Sequence, residues 1–153
     1  FAKIFAEILY EKIIEELSDL IVMENFRNII LIPIPLSKKR YRERGYNQAE
    51  LICRELIKIN NLRHGVDMKL EKDILIKPKE TEHQARIENR RERLKNIIGS
   101  FAIKNEKLSL SKIKNKNIIL IDDITTTGAT LNEARKVLKQ NGARKIIAFT
   151  VAH

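Results

Sequence analysis

Cysteine occurs once in this 153-residue chain, at Cys53, tryptophan not at all, and proline and glycine only three and five times. A single cysteine excludes an intrachain disulfide and a multi-cysteine zinc site. The remaining reading of Cys53 is a core residue of a helix rather than a nucleophile. No apolar run approaches the roughly 18–20 residues that cross a bilayer. Lys3, Glu7, Glu11 and Lys12 interrupt the N-terminal stretch, so it does not read as a secretory signal. The expected compartment is the cytoplasm. His64, His83 and His153 stand at no metal-ligand spacing and receive no role. There is no internal repeat and no low-complexity linker. The first residue is Phe1 rather than Met, which leads us to expect residues upstream of it.

What the chain has in quantity is positive charge. It carries 30 Lys and Arg against 20 Asp and Glu, a formal charge of +10, with 43% hydrophobic residues. That apolar fraction suits a globular chain, and the length suits one domain, 1–153. The charge is uneven. Residues 1–25 hold two basic and six acidic side chains, so the remainder carries +14. Most of the surplus falls in Lys38–Arg44, Arg86–Lys95 and Lys104–Lys116. A surface of this kind attracts a nucleic acid or a phosphorylated small molecule. Solubilising lysines in a chain of biased composition are the competing reading.

Hydrophobic spacing orders the elements. Phe5, Leu9, Ile13, Leu17 and Leu20 make one stripe of a helix over 1–22. Residues 28–34, Asn-Ile-Ile-Leu-Ile-Pro-Ile, hold an apolar run such as a strand buried on both faces has, and Pro33 and Pro35 place its end. Residues 36–47 read as a polar loop, and a helix runs from Gln48 to Ile59. Short strands follow at Asp73–Ile76 and Phe101–Lys104, with a charged, helix-favouring stretch over 84–96 between them. Lys104 to Asn117 reads as a connector. Asn117–Ile121 is a strand, Asp122–Gly128 a turn, Ala129–Gln140 a helix and Lys145–Val151 a final strand. Strand, helix and strand on short links predict a right-handed crossover. The fold class is α/β, a mostly parallel sheet with helices on both faces.

The turn after the 117–121 strand concentrates the chemistry. Ligands of open α/β sheets bind beyond the carboxyl ends of strands. Asp122 and Asp123 stand at that edge, where paired carboxylates need hydroxyl donors or a cation. Thr125, Thr126, Thr127, Gly128, Ala129 and Thr130 then lead into a helix whose N-terminus favours a phosphate. Gly128 allows close backbone approach. A diol site one sugar's length from a phosphate cradle matches a ribose 5-phosphate. Plain helix capping explains one Asp or Thr but not the whole set. No Gly-x-x-x-x-Gly-Lys-Ser/Thr is present, so a P-loop is not supported.

The thirteen residues Ile118 to Thr130 closely resemble the phosphoribosyl pyrophosphate (PRPP) motif of type I phosphoribosyltransferases. The resemblance implies that Asp122 and Asp123 contact the ribose hydroxyls and that Thr125–Thr130 cradle the 5-phosphate. It also implies Mg²⁺ bound with PRPP and no direct metal ligand, and a flap over 79–98. Two further blocks resemble the ComF (competence protein F) branch. One is Ile32–Leu36 with Arg44-Gly45-Tyr46-Asn47-Gln48-Ala49. The other is Thr81-x-x-Gln84 with Arg93-Leu94-Lys95-Asn96-x-x-Gly99-Ser100-Phe101. Together the blocks cover residues 29–153.

By that resemblance Pro35, Leu36, Ser37 and Lys38 occupy the pyrophosphate loop, with Lys77 as a basic residue facing the same group. Arg44, Tyr46, Asn47 and Gln48 either bind a base or lock the loop against the sheet. Thr81, Gln84, Arg93 and Asn96 are flap or nucleic-acid candidates, or part of a solvated helix. Many ComF members begin with a CxxC-type zinc module; none is seen in these residues, so either upstream residues are missing or this is a short-form member. The implied function is handling of single-stranded DNA in natural transformation by a PRPP-binding domain, with competence proteins as partners and homo-oligomers open. The alternatives are an active phosphoribosyltransferase of unassigned acceptor and a PRPP-sensing module without turnover. No residue stands out as a general base.

Overall fold

The computed structural model describes residues 1–78, 97–124 and 128–152. The N-terminal stripe folds as α1 (Ala2–Glu24), with Ala6, Leu9, Tyr10, Ile13 and Leu17 buried. Asn25 ends it in the left-handed conformation, φ 52°, and returns its N–H to the Leu20 carbonyl. The apolar run forms β1 (Ile29–Pro33), buried at all five positions. After α2 (Lys38–Arg44) and α3 (Gln48–Leu62) come β2 (Met68–Leu70), β3 (Leu75–Ile76) and β4 (Ala102–Ile103). The chain then forms α4 (Glu106–Ile113), β5 (Asn117–Ile124), α5 (Ala129–Gln140) and β6 (Lys145–Ala152).

The main sheet has the order β2-β1-β5-β6, and every neighbouring pair is parallel. Side-chain alternation sends two sets of residues to opposite faces. Ile29, Leu31, Ile119, Ile121 and Phe149 pack under α1 and α3. Ile30, Ile32, Ile118, Leu120 and Ile146 pack with Leu131, Ala134 and Leu138 of α5 and Ile113 of α4. The antiparallel pair β3–β4 lies on this second side, with Ile74, Leu75, Phe101 and Ile103 in the same cluster. The expected parallel sheet with helices on both faces is therefore what forms. Cys53 is fully buried in the first cluster, and burial pushes its thiol well above its usual range, which fits the core reading.

Four sequence expectations need correction. The stretch 36–47 is not all loop: Ser37 caps a helix by accepting the Arg40 N–H, and Gly45, φ 79°, closes it. The 104–117 connector contains α4. The strand β2, unforeseen because three residues carry no periodicity, pairs with β1. The strand β5 runs through Asp122 and Asp123 rather than ending at Ile121, with Asp122 paired in register to Thr150.

The connectivity fixes where a ligand can sit. The chain leaves β1 for β2 on one side and leaves β5 for β6 on the other. The crevice beyond the carboxyl ends of β1 and β5 is thus the topological switch point. Among the described residues no helix is long and apolar enough to cross a membrane.

Candidate functional site

Both strands that flank the switch point deliver motif residues to it. The register of β1 against β5 ends with Pro33 opposite Ile121, and the Ile34 N–H continues it by donating to the Ile121 carbonyl at 2.8 Å. Asp122 and Asp123 follow directly. Asp122 is 8% exposed. The Asp123 backbone N–H donates to its Oδ1 at 2.9 Å. Burial, then the hydrogen-bonded and charged Asp123 carboxyl beside it, pushes Asp122 up to about 7; the Asp123 N–H and the Lys77 charge pull the other way. Near neutrality Asp122 is therefore divided between its acid and carboxylate forms, able to donate to or accept from a ligand hydroxyl.

Gly128 has φ 76° and stands at the N-cap of α5, which carries no side-chain cap. Only glycine adopts that conformation without strain. Thr130 lies in the first turn and is partly exposed. A helix start of this kind favours a group with acceptor oxygens through the positive end of its dipole. Thr125, Thr126 and Thr127 lie outside the described residues, as do Thr81, Gln84, Arg93, Asn96 and His83.

Pro35 and Leu36, partly buried, carry the chain from β1 to Ser37. Ser37 is buried and its oxygen caps α2. It also forms a parallel bridge with Lys77, which brings the loop after β1 against the end of β3. The Lys77 ammonium lies 5.7 Å from the Phe101 ring centroid. Lys38 is exposed at the start of α2. The structure thus brings Asp122, Asp123, Ser37 and Lys77 to one end of the sheet.

The Arg44–Gln48 block divides. Asn47 locks the loop: its Nδ2 donates to the Ile34 carbonyl at 3.0 Å and its Oδ1 accepts the Ala49 N–H, capping α3. The Gln48 Nε2 is buried and finds no hydrogen-bond partner among the described residues. Arg44 and Tyr46 stay at the surface. Beside this block, a cleft of about 430 Å³ is lined by Pro35, Leu36, Lys38, Tyr41, Arg42 and Lys72 among others.

Sequence reasoning missed Phe101 as a platform for Lys77. It also missed Glu133 of α5, a buried carboxylate that accepts the Gly99 N–H at 3.0 Å. Nothing in the local pattern marks either role, because both depend on contacts between distant segments.

Residues 74–153 match the family model described as phosphoribosyl transferase domain. The chain is 34% identical to Competence protein F of Haemophilus influenzae, over 80% of this chain and 49% of that protein. It is 36% identical to Competence protein ComFC of Bacillus subtilis, over 82% of this chain and 45% of that one. The chain belongs to the phosphoribosyl transferase family, in its ComF branch. It spans about half the length of these curated relatives. The fold also aligns with hypoxanthine phosphoribosyltransferase of Trypanosoma cruzi at TM-score 0.50 and 11% identity, over 98% of this chain and 77% of that one. At that identity the likeness speaks for the fold alone.

The raised Asp122 sets a pH signature in the ligand-free ComF-branch domain. A folded value above the unfolded one means that ionisation in the native state costs stability. That cost appears as pH rises from about 4 and is complete above about 7. Asp122→Asn should therefore stabilise the protein relative to wild type more at pH 8 than at pH 5, by roughly 1–3 kcal/mol in urea unfolding. An equal effect at both pH values would contradict the assignment.

Proposed function

We propose that this domain binds PRPP across the β1/β5 switch point and serves a competence protein that handles incoming single-stranded DNA. The observation that carries the first part is the carboxyl pair at the end of β5, at the switch point and directly ahead of the Gly128 start of α5 in the chain. Asp122 and Asp123 accept the ribose 2- and 3-hydroxyls. The backbone at Gly128–Thr130 donates to the 5-phosphate, aided by the α5 dipole. Lys77, tied to Ser37, faces the diphosphate side.

Mg²⁺ fits this donor set as a passenger of the diphosphate. Among the described residues no group of three or more His, Cys, Asp and Glu is arranged to hold a metal. When bound, the ion offsets diphosphate charge. In a transfer reaction an acceptor would attack C1 as the C1–O bond to pyrophosphate breaks, and Lys77 would stabilise charge on the leaving group. The acceptor is unassigned, and a PRPP-sensing role without turnover is the second reading.

The DNA part rests on the competence role that the ComF branch implies and on α2. None of its residues is buried. It presents Lys38, Lys39, Arg40, Arg42 and Arg44 against one acid, Glu43. Tyr41 and Tyr46 are 48% and 49% exposed beside them. Cations with interleaved exposed aromatics suit a single strand, which offers phosphates and stackable bases.

Titration of PRPP with Mg²⁺ into the wild type should show saturable binding, abolished in Asp122→Ala/Asp123→Ala. Unchanged affinity in the double variant would refute the site. Pyrophosphate release in the same samples, with candidate acceptors added, separates transfer from sensing.

Single-strand affinity should fall with salt on a log–log slope of roughly −0.7 per neutralised phosphate. Replacing Arg42 and Arg44 by Gln should shrink that slope by about 1.4. Tyr41→Ala and Tyr46→Ala should weaken binding by about 1–3 kcal/mol each without changing the slope. A wild-type slope near zero contradicts the surface.

A further inference from the structure

We infer that Glu133 is a positioning residue that fixes the diphosphate side of the site to the helix holding its 5-phosphate side. The inference rests on the phosphoribosyl reading above. Glu133 lies one turn into α5 and is only 8% exposed. A buried carboxylate is costly unless a donor satisfies it. Its Oε1 accepts the backbone N–H of Gly99, 34 positions away, at 3.0 Å. Hydrogen bonds that involve a charged partner are the stronger class.

The contacts continue from there without a gap. Gly99, φ 75°, belongs to a turn closed by the Ser100 N–H and hydroxyl, which both donate to the Ile97 carbonyl at 3.0 and 2.6 Å. Ser100 and Phe101 are buried. Phe101 leads into β4, whose Ala102 pairs with Ile76 of β3. Lys77 follows on β3, and its ammonium lies over the Phe101 ring. Lys77 bridges to Ser37, and its charge is felt at Asp122. The cradle helix, the Gly99 turn, the β3–β4 pair and the loop after β1 are thus joined in one line of contacts that ends beside the switch point. Glu133 makes the hydrogen-bonded joint between α5 and that line, beside the apolar packing of Leu131 and Ala134 in the cluster that holds Phe101.

Loss of that bond loosens the Gly99 turn, and through it the placement of Phe101 and Lys77, while the α5 start stays in place. The ligand-dependent consequence is specific. PRPP carries a diphosphate for Lys77 to meet, whereas ribose 5-phosphate does not.

The test is calorimetric titration of PRPP and of ribose 5-phosphate, each with Mg²⁺, into wild type, Glu133→Gln, Glu133→Asp and Glu133→Ala. The Gln variant keeps an oxygen of the same reach and should stay near wild type for both ligands. The Asp variant is one methylene too short and should behave as Ala does. Both should lose about tenfold in PRPP affinity and little in ribose 5-phosphate affinity. Phe101→Leu removes the ring under Lys77 without touching α5 and should show the same selective loss, which keeps the test open if the Glu133 variants fail to fold. Folded variants that lose both ligands equally, or lose neither, overturn the inference. A wild type that binds neither ligand overturns the phosphoribosyl reading itself, and the inference with it.

Discussion

Two carboxyl groups placed side by side at the end of a buried central strand are the constraint on which the rest of the structure turns. Burial and mutual repulsion make Asp122 and Asp123 unfavourable where they stand, and Asp122 responds by holding its proton to about 7. A fold tolerates that only where the surroundings over-determine the strand. They do so here. Each of Ile118 to Ile121 is fully buried, β1 and β6 flank β5 in parallel, and the Ile34 N–H extends the ladder to the Ile121 carbonyl. The apolar sheet holds the acids at the edge, and the reversal of winding between β1 and β5 opens the crevice that they face.

The net charge of +10 divides accordingly. The proposed 5-phosphate seat is built from backbone at Gly128–Thr130 and a helix start, and owes nothing to lysine count. Lys77 is the basic side chain that, among the described residues, acts electrostatically on Asp122. The five cations of α2 lie on a helix that starts at the site, with Lys38 next to Ser37, and none of its residues is buried. A single small anion has no use for so many, which is why an extended polyanion is the partner proposed for that surface. Residues 1–25 run the other way, with α1 exposing its acids while its apolar stripe covers the sheet.

Legibility in the sequence followed the range of the forces involved. Around the motif, the β5 strand and the α5 helix were readable because their apolar patterns are contiguous; the α5 boundaries were read without error, while β5 runs to Ile124 rather than Ile121. The β1 run was readable because a strand buried on both faces is apolar at every position. Helix α2 was not, since periodicity reports burial and α2 buries nothing; its cap Ser37 and its closing Gly45 were its only signals. Within the Arg44–Gln48 block, sequence left base binding and loop locking equal. The Asn47 bond to the Ile34 carbonyl decides for locking at that residue. The Ser37–Lys77 bridge and the Glu133–Gly99 bond join segments far apart in the chain, and no local pattern encodes them.

The central claim is that the Asp122/Asp123 edge and the start of α5 form one phosphoribosyl site. A crystal structure with PRPP and Mg²⁺ bound tests it most directly. The account predicts the 5-phosphate on the backbone at Gly128–Thr130, the two ribose hydroxyls on the Asp122 and Asp123 carboxyls, and the diphosphate on the Ser37–Lys77 side. PRPP seated elsewhere, for instance in the cleft beside α2 with both carboxyls untouched, would contradict it.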